Sequence, residues 1–245
     1  MDQKQNGELV IAAASDLNFA MPEIIKGFKD KNKGPDIKAI YGSSGNIAAQ
    51  IANGAPFDIF FSASLNFIEQ MEKDGLIIPD SKFMYAIGRI VIWVPIGSKI
   101  DISKLGIKSL LDPSIKNIAI ANPQHAPYGK AAVEAMSRLG VYEAVKDKLI
   151  FGENISQTAQ FIQSGAADIG IIALSVALSP RMKSAGTYWL IPEETYNRIE
   201  QWAVIIKRSG KVRWAEEFMN YFRGEDGRKI LAGYCFILDS NKGAK

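Results

Sequence analysis

Cysteine and histidine are almost absent from this chain. Its 245 residues include one of each, Cys235 and His125. A lone cysteine forms no internal disulfide, and the two residues together are too few for a His/Cys metal centre. They also leave no spare parts for a Ser-His-Asp triad. Cys235 lies in the apolar run GYCFIL and is expected to be a core residue. An excess of one charge is lacking too. The 29 basic and 26 acidic residues leave a net charge of +3, and the basic residues are scattered, so nucleic acid is not an expected partner. No apolar run approaches the roughly 20 residues of a membrane-spanning helix. The opening MDQKQNGELVIAAAS lacks the apolar centre of a signal peptide: it is polar at first, and a strand follows at once. Such a start suits a cytoplasmic protein, or a secreted one whose signal has been replaced.

What is present is a regular alternation. With 47% hydrophobic and 22% charged residues, the chain reads as an ordinary globular protein. Its length allows one large domain or two lobes of roughly 100 to 120 residues. Strand-length apolar runs are expected at 8–14, 37–42, 57–63, 89–95, 117–123, 168–175, 187–192 and 201–207. Helical spacing fills the intervals at 18–31, 46–54, 65–77, 129–139, 142–149 and 156–165, with a short helix near 107–112. Two more close the chain at 214–224 and 225–232. This is α/β patterning in two halves, with 89–95 and 201–207 as passages between them.

Small hydroxyls recur at the strand ends. The first strand ends at Ser15-Asp16 and the second at Ser43-Ser44, each with a helix following. The segment FDIFFSAS ends in further small polar residues. Later, IAIANP runs into Gln124-His125-Ala126-Pro127-Tyr128-Gly129, and FGENIS precedes a helix. In open α/β sheets, ligands bind beyond the carboxyl ends of strands, at helix starts with unpaired N–H groups and partial positive charge. Serine adds a donor of little bulk. A single such serine is more often just an N-cap. The set, shaped by glycines and prolines, points to a site for an anion held by neutral donors.

The segments AAASDL, YGSSGNIAAQIANGAPFDIFFSA, YAIGRIVIWVP, ANPQHAPYGKAA and SGAADIGIIALS resemble the periplasmic molybdate-binding proteins of ABC transporters, in that family's order and over nearly the whole chain. The resemblance implies a two-lobed periplasmic-binding-protein fold of type II-like plan, each lobe a mixed, mostly parallel sheet flanked by helices. Lobe I would comprise 1–88 and 203–245 and lobe II 89–202, with the ligand in the cleft and the crossover strands as hinge. It implies molybdate or tungstate as ligand, held by Ser15 and Ser44 and by the backbone N–H groups of Tyr128 and Ile155. Asp16 belongs to the same set through its backbone, its carboxylate turned away from the dianion or capping the helix. At Ala173 this chain departs from the tyrosine of many members, and the Tyr128 hydroxyl is the candidate replacement.

By the same resemblance, no cofactor and no cation site are expected. The partners would be the membrane permease and ATPase of an ABC importer, the location periplasmic or otherwise extracytoplasmic, and the protein a monomer. Selectivity against sulfate would come from cavity size, because the same donors lose reach on a smaller ion. Alternatives are another tetrahedral oxyanion such as sulfate or phosphate, a small organic solute or, remotely, a two-lobed transferase using Asp16, Asp58 and His125 as acid–base groups. None of those three has an evident activating partner in sequence.

Overall fold

A computed structural model describes residues 7–238; the polar first six residues and the last seven lie outside it. Its strands are β1 (Leu9–Ala14), β2 (Ile37–Gly42), β3 (Ile59–Ser62), β4 (Phe83–Gly88), β5 (Ile90–Pro95), β6 (Ile118–Ala121), β7 (Leu149–Gly152), β8 (Ile169–Ala173), β9 (Gly186–Leu190), β10 (Ile199–Ile205) and β11 (Ile237–Leu238). The described residues form two compact units, 7–87 with 200–238, and 88–199.

The first unit is built on a six-stranded sheet in the order β11-β4-β10-β3-β1-β2. Strands β1, β2 and β3 run parallel, and β10 runs antiparallel to β3. Side chains alternate across a strand, and β1 uses both faces. Leu9, Ile11 and Ala13 pack with Met21, Ile24 and Phe28 of the helix Ala20–Lys31 and with Phe218 and Phe222 of the helix Val212–Arg223. Ala12 packs on the other face with Ile47, Ile51, Ile68 and Met71, from the helices Ser44–Ala52 and Leu65–Lys73. Burial on both faces is why β1 is a continuous apolar run rather than an alternating one. Edge-to-face aromatic pairs hold one layer: Phe61 and Tyr85 lie 5.7 Å apart, and Tyr85 and Phe222 5.1 Å.

A five-stranded sheet in the order β7-β6-β8-β5-β9 forms the second unit. Strands β6, β7 and β8 are parallel, whereas β5 runs antiparallel to both β8 and β9. All residues of β6 and β8 are buried, as expected for central strands covered on both faces.

Several expectations are corrected. Strand β4 replaces a stretch with no expected element, since only Arg89 separates it from β5. The helix expected at 142–149 is only Tyr142–Val145; a tight turn follows and then β7. Near 107–112 the chain makes a helix at Ile102–Leu105 and a 3-10 helix at Gly106–Leu111. The helix Pro180–Ala185 was not anticipated either. Cys235 is exposed, not core: it adopts φ 56° just past the helix Glu225–Gly233, and that left-handed turn brings Phe236 into the core instead.

Candidate functional site

Parallel register brings the ends of β2, β1 and β3 together. Ala14 pairs with Gly42, and Ala13 with Phe61. Continuing by one or two residues sets Ser15 beside Ser43 on one side and Ala63 on the other. Strands lie ~4.8 Å apart, so the three ends fall within roughly 10 Å. Ser15 opens a 3-10 turn, Ser15–Leu17. Ser15, Asp16, Ser43 and Ser44 are all buried.

The two adjacent serines divide their duties. Ser43 is the N-cap of the helix Ser44–Ala52 and accepts from the Asn46 N–H at 3.4 Å. Ser44 is the first helical residue and is fully buried. Its Oγ accepts from the Ala63 N–H at 2.9 Å. A hydroxyl has one donor and two acceptor positions. With one acceptor position facing Ala63, the Ser44 proton is directed away from that N–H and can serve a ligand.

Asp16 is 1% exposed. Its charge reaches Tyr85, whose phenol donates to Gln201 Oε1 at 3.2 Å. Burial, and secondarily the Asp16 charge, pushes the Tyr85 hydroxyl well above its ordinary pKa. Tyr85 on β4 and Gln201 on β10 thus form a buried polar pair near enough to Asp16 to sense its charge.

In the second unit, Ala121 of β6 pairs with Gly152 of β7, so the loops 122–126 and 153–154 leave adjacent parallel strands. The Asn122 N–H donates to Gly152 O at 2.8 Å, and His125 Nε2 lies 3.6 Å from Glu153 Oε2. Each loop ends at a helix start. Pro127 opens the helix Pro127–Arg138 and carries no N–H, so Tyr128 supplies the first one; no side chain caps this end. A Cβ on Gly129 would sit 2.0 Å from Ala121 O, so only glycine lets this helix start lie so close to the end of β6. In the helix Ile155–Gln163, the Asn154 side chain accepts from Ser156 and Gln157, at 3.0 and 3.1 Å. Ile155, the first helical residue, has no intrahelical acceptor for its N–H. Gly152 is also tightly packed, since a Cβ there would meet Thr158 N at 2.7 Å. Tyr128 and Ile155 are 4% and 3% exposed, which makes both helix starts interior sites. Ala173, at the end of β8, is fully buried and offers no side-chain donor.

The structure thus groups Ser15, Asp16 and Ser44 at one sheet end of the first unit, and Tyr128 and Ile155 at one sheet end of the second. It also supplies partners that the sequence did not announce: Ala63 for Ser44, and Asn154 as the cap ahead of Ile155. The small residues after FDIFF signalled the first, and an Asn before an apolar helix could have signalled the second.

Of the residues weighed for acid–base work, Asp58 is engaged away from these strand ends. Asp58 lies at the start of β3, the opposite end from Ser62. It accepts from the Val10 N–H at 2.8 Å and the Ser209 hydroxyl at 2.7 Å, with Lys211 Nζ 3.6 Å away. His125 stands against Glu153. Among the described residues no group of three or more His, Cys, Asp or Glu could hold a metal ion, and no helix is long and apolar enough to cross a membrane.

Two units of helix-flanked mixed sheet with these connections are a periplasmic-binding-protein fold. The chain belongs to the family described as bacterial extracellular solute-binding protein, which matches residues 9–237. It is 33% identical over 234 residues to the molybdate-binding protein ModA of Azotobacter vinelandii, covering 96% of this chain and 91% of that one. It is 32% identical over 233 residues to ModA of Rhodobacter capsulatus, covering 95% and 89%. The solved structure of the Azotobacter vinelandii periplasmic molybdate-binding protein superposes with a TM-score of 0.86 at 31% identity, covering 95% of this chain and all of that one. The family is one of binding proteins, not enzymes.

Proposed function

We propose that this chain is the extracytoplasmic solute-binding component of an ABC importer, and that its solute is molybdate or tungstate. The observation that carries the reading is the neutral donor set at the strand ends. The Ser15 and Ser44 hydroxyls stand at adjacent ends in the first unit, and the Tyr128 and Ile155 N–H groups open two helices in the second. Hydroxyls and helix-start amides match the oxygens of a tetrahedral dianion without fixing a buried cation in the protein. The Asp16 backbone joins this set. The Tyr128 hydroxyl supplies the donor that Ala173 lacks. The likeness to two ModA proteins supports molybdate over an organic solute. The chain acts as a monomer without a cofactor and passes the anion to a membrane permease driven by an ATPase.

Thermal unfolding against a panel of anions tests this reading. A ligand that binds only the folded state stabilises it by about 4 kcal/mol at 1,000 times its Kd. Molybdate and tungstate should each raise the melting temperature by several degrees. Sulfate and phosphate at the same concentration should leave it nearly unchanged. A shift with sulfate alone would move the assignment to another oxyanion.

A further inference from the structure

Ser62 is fully buried at the last position of β3, and its hydroxyl is spent on its own turn. Its Oγ donates to Ser64 O at 2.9 Å and accepts from the Ser64 N–H at 3.2 Å. These two bonds close the chain around Ala63, the one residue between them. The Ala63 N–H is the group that meets Ser44 Oγ, at 2.9 Å and wholly buried. The Ser62 turn therefore fixes where the Ala63 N–H points. That N–H in turn decides which lone pair of Ser44 is occupied and where the Ser44 proton is left.

We infer that Ser62 is a positioning residue for anion capture: its turn holds the Ala63 N–H on Ser44 Oγ and so aims the Ser44 hydroxyl. The inference rests on Ser44 as a ligand donor. Ser62 touches no ligand itself. Its effect runs through one buried bond to a side chain on the neighbouring helix, 18 positions earlier in the chain. Trp202 of β10 pairs with Ser62 in the antiparallel register, so the strand beneath the turn is fixed independently of the turn's own bonds. Loss of the Ser62 hydroxyl should accordingly loosen the turn and leave the sheet in place.

A double-mutant cycle on molybdate affinity, measured by calorimetry, tests this. Ser62→Ala should weaken binding by about tenfold, the equivalent of one buried hydrogen bond. Ser44→Ala should weaken it by roughly 10- to 100-fold, as for a hydrogen bond to a charged group. Adding Ser62→Ala to Ser44→Ala should then change affinity by less than about twofold, because coupled residues are not additive. A full further tenfold loss in the double variant would overturn the inference, since Ser62 would then act by some route other than Ser44. A parent that binds molybdate, with Ser44→Ala equally tight, would instead remove Ser44 from the ligand set; a parent that binds no molybdate would refute the functional reading itself. Amide hydrogen exchange at Ala63 supplies an independent readout. Ser62→Thr keeps the hydroxyl and should retain both Ala63 protection and most of the affinity. Any folded variant at Ser62 with fast Ala63 exchange and parental affinity would contradict the proposal.

Discussion

In the first unit the proposed strand-end donors are chiefly side chains, whereas in the second they are chiefly main chain. Ser15 follows β1, and Ser43 and Ser44 follow β2, with hydroxyls buried at the sheet end. Beyond β6 and β7 the groups brought forward are the N–H of Tyr128, behind a proline, and the N–H of Ile155, behind an asparagine cap. Both arrangements use the same topology, three parallel strands with helices starting at their carboxyl ends. They differ in what a substitution can remove. A hydroxyl is lost with one atom, while a backbone donor survives any side-chain change that leaves the helix start where it is. At these strand ends the second unit should therefore be sensitive at Gly129 and Gly152 and tolerant at Ile155, whereas the first should be sensitive at Ser15 and Ser44.

The largest effect is expected from Gly129→Ala. The added Cβ would meet the carbonyl of Ala121 at 2.0 Å, and a strand backbone cannot move aside as a flexible side chain can. Destabilisation of about 3 kcal/mol or more is expected by urea unfolding. A variant of parental stability would mean that the helix start is not packed on β6 as described. Next comes Ser44→Ala, which should cost about 1.5 to 3 kcal/mol of molybdate affinity. The fold should survive, because Ser43 provides the cap. Tyr128→Phe is where the contrast could break. It keeps the N–H and the ring, and the loss of the hydroxyl should weaken binding by about 1.5 to 3 kcal/mol if the phenol replaces the donor missing at Ala173. Parental affinity would place Tyr128 with the purely main-chain donors.

Ile155→Val should have the smallest effect on affinity, within about twofold, because the N–H remains while one buried methylene is lost. Stability should fall by about 0.5 to 1.5 kcal/mol. Affinity that fell along with stability would show that the side chain, not the amide, carries the contact.

The units also differ in response to alkali. Burial raises Tyr41 to about 12 in the first unit, and Tyr85 goes well above its usual value. Tyr196, at about 12, is the corresponding group of the second unit. In the unfolded chain these phenols ionise near 10. A folded-state pKa above that value contributes stability that is complete below about pH 10 and is lost as pH rises toward 12. Unfolding by urea should become easier across that window. Tyr85→Phe should reduce the pH dependence more than Tyr196→Phe; equal changes would contradict the larger upward shift at Tyr85.

The contrast between the units also explains what could be read from sequence. Strand β2 was legible to its exact ends because apolar residues and glycine mark it, and β1 to within a residue. Serines at strand ends were visible as residue types. Which of two adjacent serines caps and which stays available was not, because that depends on whether the helix begins at 44 or 46; the apolar signal starts only at Ile47. Strand β7 was hidden because it is a four-residue edge strand with Phe151 half exposed, joined directly to helical turns. Strand β4 merged with β5 across Arg89. Main-chain donors leave no residue type behind. They could be traced only through the Pro-Tyr-Gly and Asn-Ile-Ser helix starts and through the resemblance of those segments to a family. Cys235 misled because its apolar neighbours suggested burial, whereas a left-handed turn reverses the chain there.

The most direct test of the account is calorimetric titration of the unliganded protein with molybdate, then with sulfate, in the same buffer. The proposed neutral donors predict saturable binding of one molybdate per chain, at least about a hundredfold tighter than sulfate. Absence of molybdate binding, or equal affinity for both anions, would contradict it.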